Sequence, residues 1–131
     1  MSSVLIVDDE PNIRRMVGAL LASEGYEVRD AADGSSGLAR AAESTPDVVL
    51  LDLMMPNLSG LDVLARIRAS DRLKHLPCII LTAAGQETQH QKAMELGATE
   101  FLTKPFSPKK LYARTAELAG LSTDENGAQG S

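Results

Sequence analysis

The 131-residue chain has no tryptophan, two tyrosines and two phenylalanines, so its core must be aliphatic and it has few rings on which unpaired bases could stack. Single-stranded nucleic acid is a poor ligand for it. A single cysteine, Cys78, excludes an intramolecular disulfide, and its place in the apolar run Cys78 to Leu81 suits a small buried side chain better than a reactive thiol. No stretch approaches the roughly 18 apolar residues of a membrane span, and no basic segment leads into an apolar one at the N-terminus, so a cytoplasmic protein without membrane association is expected. Positive charge is also scarce. Against 18 Asp and Glu stand 13 Lys and Arg, and the net charge of -5 repels phosphate backbones unless cations cluster. The pairs Arg14, Arg15 and Lys109, Lys110 read as solvated helix faces, so direct nucleic-acid binding is not expected. His75 and His90 lack partners at metal-ligand spacing and read as surface residues.

What is present is a regular alternation of short apolar runs with longer amphipathic stretches, the pattern of βαβ units and a parallel sheet. Strands are predicted at Val4 to Val7, Glu27 to Ala31, Val48 to Leu51, Cys78 to Thr82 and Glu100 to Thr103. The first, third and fourth are almost wholly apolar, as central strands covered on both faces should be, whereas the second alternates like an edge. A first helix from Pro11 carries Ile13, Met16, Val17, Leu20 and Leu21 and stops at Gly25. Ser35 to Glu43 follows, with Leu38, Ala41 and Ala42 apolar and Thr45, Pro46 as its stop, then Gly60 to Arg68 with Leu61, Leu64 and Ile67. Gln86 to Leu96 has almost no apolar face before Ala93, Met94 and Leu96, which predicts an exposed, mobile helix. The last opens with Ser107 as N-cap and Pro108 in first position and buries Leu111, Tyr112, Leu118 and Leu121. Residues 1–121 read as one domain, and 122–131 as a disordered polar tail or the start of a linker.

Four of the strands end on groups that handle phosphate: Asp8 and Asp9, Asp52, Thr82, and Lys104. Each has an ordinary explanation alone, as a cap or turn residue. Together, in an open parallel sheet, they would meet at the carboxyl edge where ligands bind. Carboxylates ~5 Å apart repel by about 3 kcal/mol per pair at an effective dielectric near 20, so three of them take up a proton or a cation. Oxygen-only ligands select a hard ion, and Mg2+ fits. Beside it, an aspartate can attack phosphorus to form an acyl phosphate. Asp52, on the middle strand, is the best nucleophile; Asp8 and Asp9 are placed to hold metal, Lys104 adds positive charge, and Thr82 donates to a phosphoryl oxygen.

The segments Val4-Leu5-Ile6-Val7-Asp8-Asp9-Glu10-Pro11, Pro46 to Pro56 with Gly60, Leu81-Thr82-Ala83, and Gly97-Ala98 through Lys104-Pro105-Phe106 resemble the receiver domain of two-component response regulators, over residues 4 to about 120. The resemblance implies the doubly wound (βα)5 flavodoxin-like fold, an α/β three-layer sandwich whose five-stranded parallel sheet has the order 2-1-3-4-5; a receiver domain is itself a standard example of that order. It implies Asp52 as phospho-acceptor, Asp9 as direct and Asp8 as water-mediated Mg2+ ligand, and the Met54 carbonyl as a further ligand. Lys104 would bind the phosphoryl group ahead of a cis bond to Pro105, and Thr82 and Phe101 would switch together. Partners implied are a sensor histidine kinase or histidine phosphotransfer protein as donor, and a downstream protein on the face of the fourth helix, fifth strand and fifth helix. Met54 and Ala84 flank the acceptor and bear on water access.

Lys104 to Leu111 resembles the winged-helix transcription-factor branch, which usually carries an acid where Lys110 stands and an acidic pair at Thr99 and Glu100. With only Glu100 and Arg114 keeping that chemistry, a mostly monomeric protein is expected, with weak dimerisation at most. Such a module modifies only itself. The competing class, a Mg2+-dependent aspartyl-phosphate hydrolase of small substrates, would space its two carboxylates two residues apart after the first strand and add a cap; here Asp8 and Asp9 are adjacent and no insertion supplies one.

Overall fold

The apolar runs become β1 (Ser3–Val7), β2 (Glu27–Ala31), β3 (Val48–Asp52), β4 (Cys78–Ala83) and β5 (Glu100–Lys104), all parallel, in the order β2-β1-β3-β4-β5. This computed structural model describes residues 2–83 and 85–127, with side chains to Gly120 apart from that of Glu87. Between the strands run α1 (Pro11–Ser23), α2 (Gly34–Glu43), α3 (Gly60–Ala69) and α4 (Glu87–Glu95), and α5 (Pro108–Gly127) closes the chain. Among the described residues no helix is long and apolar enough to cross a membrane.

Because strand side chains alternate in direction, β1, β3 and β4 each feed two cores. Val4, Ile6, Val48, Leu50, Ile79 and Leu81 meet Val17 and Leu21 of α1 and Leu111 and Ala119 of α5. On the other face Leu5, Val7, Val49, Leu51, Cys78 and Ile80 meet Ala41 of α2, Val63, Leu64 and Ile67 of α3, and Ala93 of α4. The doubly wound, three-layer arrangement is thus as expected. At the β2 edge the Arg29 guanidinium donates to the Arg40 carbonyl at 3.1 Å and to that of Ser44, tying the strand to the end of α2.

Local chemistry sets the helix starts. The Asp33 carboxylate accepts from the Ser36 amide at 2.8 Å, and those bonds hold its pKa below the ordinary value. Ser59 and Asp62 form a reciprocal capping box, and the Ser107 hydroxyl accepts from the Lys110 amide at 3.2 Å. Gly25 ends the α1 turn with a φ of 94°.

Several side chains depart from the sequence expectation. Met16 is 46% exposed, since the stripe that meets the sheet runs through Ile13, Val17, Leu20 and Leu21 and position 16 falls to one side. Ala42 is exposed as well; α2 instead buries Gly34 and Gly37, and a Cβ on Gly37 would lie 2.8 Å from Val7 Cγ2. Of the three apolar residues predicted for this helix only Ala93 is buried; Met94 on α4 and Leu96, just beyond it, are exposed. Thr115 fills a buried position of α5 between Leu111 and Ala119. His75 is exposed, but His90 is half-buried with its ring against Phe101. α5 continues to Gly127, into the stretch read as a tail; the Leu121 side chain and residues 128–131 lie outside the described residues.

Cys78 is fully buried, its thiol donates to the Leu76 carbonyl at 3.4 Å, and burial pushes its pKa up to about 11. Native protein at pH 8 is therefore expected to react with a thiol-specific dye no faster than it unfolds, whereas urea-denatured protein reacts at once; comparing the two rates checks this.

Candidate functional site

The sheet register brings the strand ends together. Asp52 closes β3 opposite Leu81, Thr82 pairs with Thr103, and Lys104 ends β5 opposite Ala83. Asp8 follows β1, whose last residue, Val7, lies between Ala31 and Leu51. One oxygen from each of Asp8, Asp9 and Asp52 can be chosen so that all three lie within 4.8 Å of one another. Asp8 and Asp52 are buried and Asp9 is exposed, so the cluster has a closed floor and an open rim.

Asp8 is held from four directions. Its amide donates to the Ala31 carbonyl at 3.1 Å, its carboxylate accepts from the Glu10 amide at 2.9 Å and from Lys104 Nζ at 3.0 Å, and its carbonyl accepts from Arg14 Nη1 at 2.8 Å. Arg14 also pairs with Asp30 at 3.1 Å, so it braces the site from α1 and is not a solvated helix residue. Arg15 is exposed as anticipated. Lys104 Nζ stands among three carboxylates, 3.0 Å from Asp8, 3.1 Å from Glu10 and 3.3 Å from Asp52. The Lys104–Pro105 peptide is cis.

Burial raises the pKa of Asp52 to about 6, the Asp8 charge adds to the rise, and Lys104 offsets only part of it. Burial likewise raises Asp8 against the hydrogen bonds from Glu10 and Lys104. For Lys104 burial acts downward, yet the bond to Asp8 and the charges of Asp52 and Asp8 outweigh it and hold the ammonium above the ordinary lysine value. The folded state therefore binds the Asp52 proton more tightly than the unfolded chain. The Asp52 contribution to stability is greatest below the unfolded value of 3.8 and is lost as pH rises toward 6, by roughly 3 kcal/mol at about 1.4 kcal/mol per pKa unit. In urea titrations without divalent cations, Asp52→Asn is expected to lose about 2 kcal/mol less stability than the wild type between pH 4 and pH 7. Equal declines would show that Asp52 ionises normally.

Thr82 is buried and its hydroxyl donates to the Ala83 carbonyl at 3.4 Å, a long bond that leaves it able to turn. Phe101 is half-buried against the α2–α4 core. Met54, just beyond β3, is 55% exposed, and Asn57 in the same connection has a φ of 67°. Ala84 lies outside the described residues. Three contributors had no assigned role in the sequence: Glu10, Arg14 and Gly60. A Cβ on Gly60 would lie 2.2 Å from the Asp52 carbonyl oxygen, so α3 can start against the end of β3 only with glycine there. An acidic residue after the Asp pair was the available signal for Glu10; nothing in spacing marked Arg14.

A doubly wound α/β domain with an acidic, lysine-neutralised cluster at the carboxyl edge of its sheet is the class these features define. The response regulator receiver domain profile matches residues 4–116. The sensory transduction protein RegX3 of Mycolicibacterium smegmatis is 41% identical over 130 residues, covering 98% of this chain and 56% of RegX3. The phosphate regulon transcriptional regulatory protein PhoB of Pseudomonas aeruginosa is 39% identical over 112 residues, covering 86% of this chain and 49% of PhoB. The high-resolution structure of the chemotaxis response regulator CheY4 of Vibrio cholerae superposes with a TM-score of 0.84 at 36% identity, covering 90% of this chain and 98% of CheY4. The chain belongs to the receiver domain family of two-component response regulators. It spans about half the length of the curated relatives it matches.

Proposed function

We propose that Asp52 accepts a phosphoryl group from a sensor histidine kinase or a histidine phosphotransfer protein, and that its acceptance reshapes the face of α4, β5 and α5 for a downstream protein partner. The observation that carries this is the buried Asp52 carboxylate, 3.3 Å from Lys104 Nζ and clustered with Asp8 and Asp9. An Asp52 oxygen attacks phosphorus, the bond from phosphorus to the donor nitrogen breaks, and its electron pair leaves with the imidazole. Lys104 turns from its carboxylate partners toward the phosphoryl oxygens and stabilises their charge. An all-oxygen set fits Mg2+: Asp9 and Asp52 would hold it directly, Asp8 through water, and the Met54 carbonyl beside them. When bound, the ion supplies neutralising charge at the phosphoryl oxygens.

Thr82 then donates to a phosphoryl oxygen and Phe101 turns inward behind it. Two charge-assisted bonds of ~1.5 to 3 kcal/mol each approach the ~5.5 kcal/mol that carries a two-state equilibrium from 1:99 to 99:1. On the output face Arg114 is already paired within the chain, at 3.1 Å with Glu100 and 2.9 Å with Glu117, while Thr99 and Lys110 are exposed and not acidic. That favours a mostly monomeric protein; with the net charge of -5, the reading is of a cytoplasmic module that binds a protein partner rather than nucleic acid or membrane. The same switch serves a stand-alone regulator or the receiver part, about residues 1–121, of a longer one.

Incubation with magnesium and acetyl phosphate, followed by intact-mass measurement, tests the reading. One base-labile phosphoryl group per chain is expected, and none on Asp52→Asn. Many turnovers of donor without an adduct would instead identify an aspartyl-phosphate hydrolase.

A further inference from the structure

The two ends of α4 are attached differently. At the C-terminal end Ala93 is fully buried, and the Gly97 carbonyl accepts from Arg68 Nε at 2.9 Å. Arg68 is itself fixed, donating to the Leu76 carbonyl at 2.7 Å. At the N-terminal end Gln86 makes no side-chain cap, and Gly85 turns with a φ of 89° into open space. The aromatic contact there is made by His90, whose ring lies against that of Phe101. Among the described side chains of the first half of α4 none is aliphatic or fully buried, so the ring of His90 is its aromatic tie to β5.

We propose that His90 is a positioning residue that links Phe101 to α4. Packed ring on ring, His90 cannot stay in place when Phe101 turns; the N-terminal half of α4 moves with it, about the end held by Arg68 and Gly97. The inference rests on the reading of Asp52 as acceptor and Phe101 as its responder. It assigns the polar α4 a defined output movement, transmitted through a side chain that touches neither the acceptor nor its carboxylate neighbours.

The chain has two histidines, so its imidazole proton spectrum is simple and exposed His75 is an internal reference. Full-length protein is loaded with magnesium and acetyl phosphate, with phosphoryl occupancy read by intact mass on the same sample. The His90 ring protons, displaced at rest by the ring current of Phe101, are expected to shift on loading while those of His75 stay in place. His90→Ala is expected to take up phosphoryl as the wild type does but to lose the response of the α4 amides. His90→Phe, which keeps a ring, is expected to retain it. Phosphoryl uptake with unmoved His90 protons, or an undiminished α4 response in the alanine variant, overturns the link and leaves the acceptor reading standing. No uptake by the wild type overturns both.

Discussion

Gly60→Ala is expected to destabilise the domain by about 3 kcal/mol or more in urea unfolding, although helix propensity alone predicts a gain of up to about 1 kcal/mol. The new Cβ would lie 2.2 Å from the Asp52 carbonyl oxygen and 2.6 Å from Leu53 Cα. Both are backbone atoms at the end of β3, so no rotamer change relieves the contact. The Gly60 amide, which donates to the Leu53 carbonyl at 2.9 Å, holds α3 at that close approach. Gly18→Ala is the matched control: its Cβ would meet Val28 and Ile6 at 3.7 and 3.9 Å, ordinary contact distances, and a gain is expected. Losses of equal size in both would show that the approach of α3 to β3 is not the cause.

Lys104→Met is expected to slow phosphoryl uptake from acetyl phosphate by about 100-fold or more and, without divalent cations at neutral pH, to destabilise the domain by about 3 kcal/mol. The ammonium lies within 3.3 Å of Asp8, Glu10 and Asp52, two of which are buried, and its removal leaves them facing one another unneutralised. Stability is expected to recover at pH 5, where the cluster takes up a proton, and in saturating magnesium. Uptake is not expected to recover with magnesium if, as proposed, the Lys104 ammonium turns to the phosphoryl oxygens. Recovery of both would mean that Lys104 acts only as a counter-charge.

The sequence made the elements legible because each carries a period: β1, β3 and β4 are apolar runs, α1 and α3 repeat every three or four residues, and the capping residue Ser107 stands where chemistry requires it, whereas the caps Asp33 and Ser59 emerge only in the structure. The carboxylates and Lys104 were legible for a different reason, since the end of a parallel strand fixes where its next residue must go. What pattern cannot carry is approach between distant segments. Lys104 reaches Glu10 across 94 residues, and no local feature separates Arg14, which braces Asp8, from exposed Arg15. Gly34, Gly37 and Gly60 bury their faces without contributing any hydrophobic signal. His90 looked like a surface residue because its partner, Phe101, lies on another element.

Borohydride reduction of the phosphorylated chain, followed by peptide mass mapping, tests the central claim most directly, because it converts an aspartyl phosphate to homoserine where it stands. Homoserine is expected at position 52 alone, dependent on magnesium. Conversion at Asp8 or Asp9, or a phosphorylated chain with none at Asp52, would contradict the account.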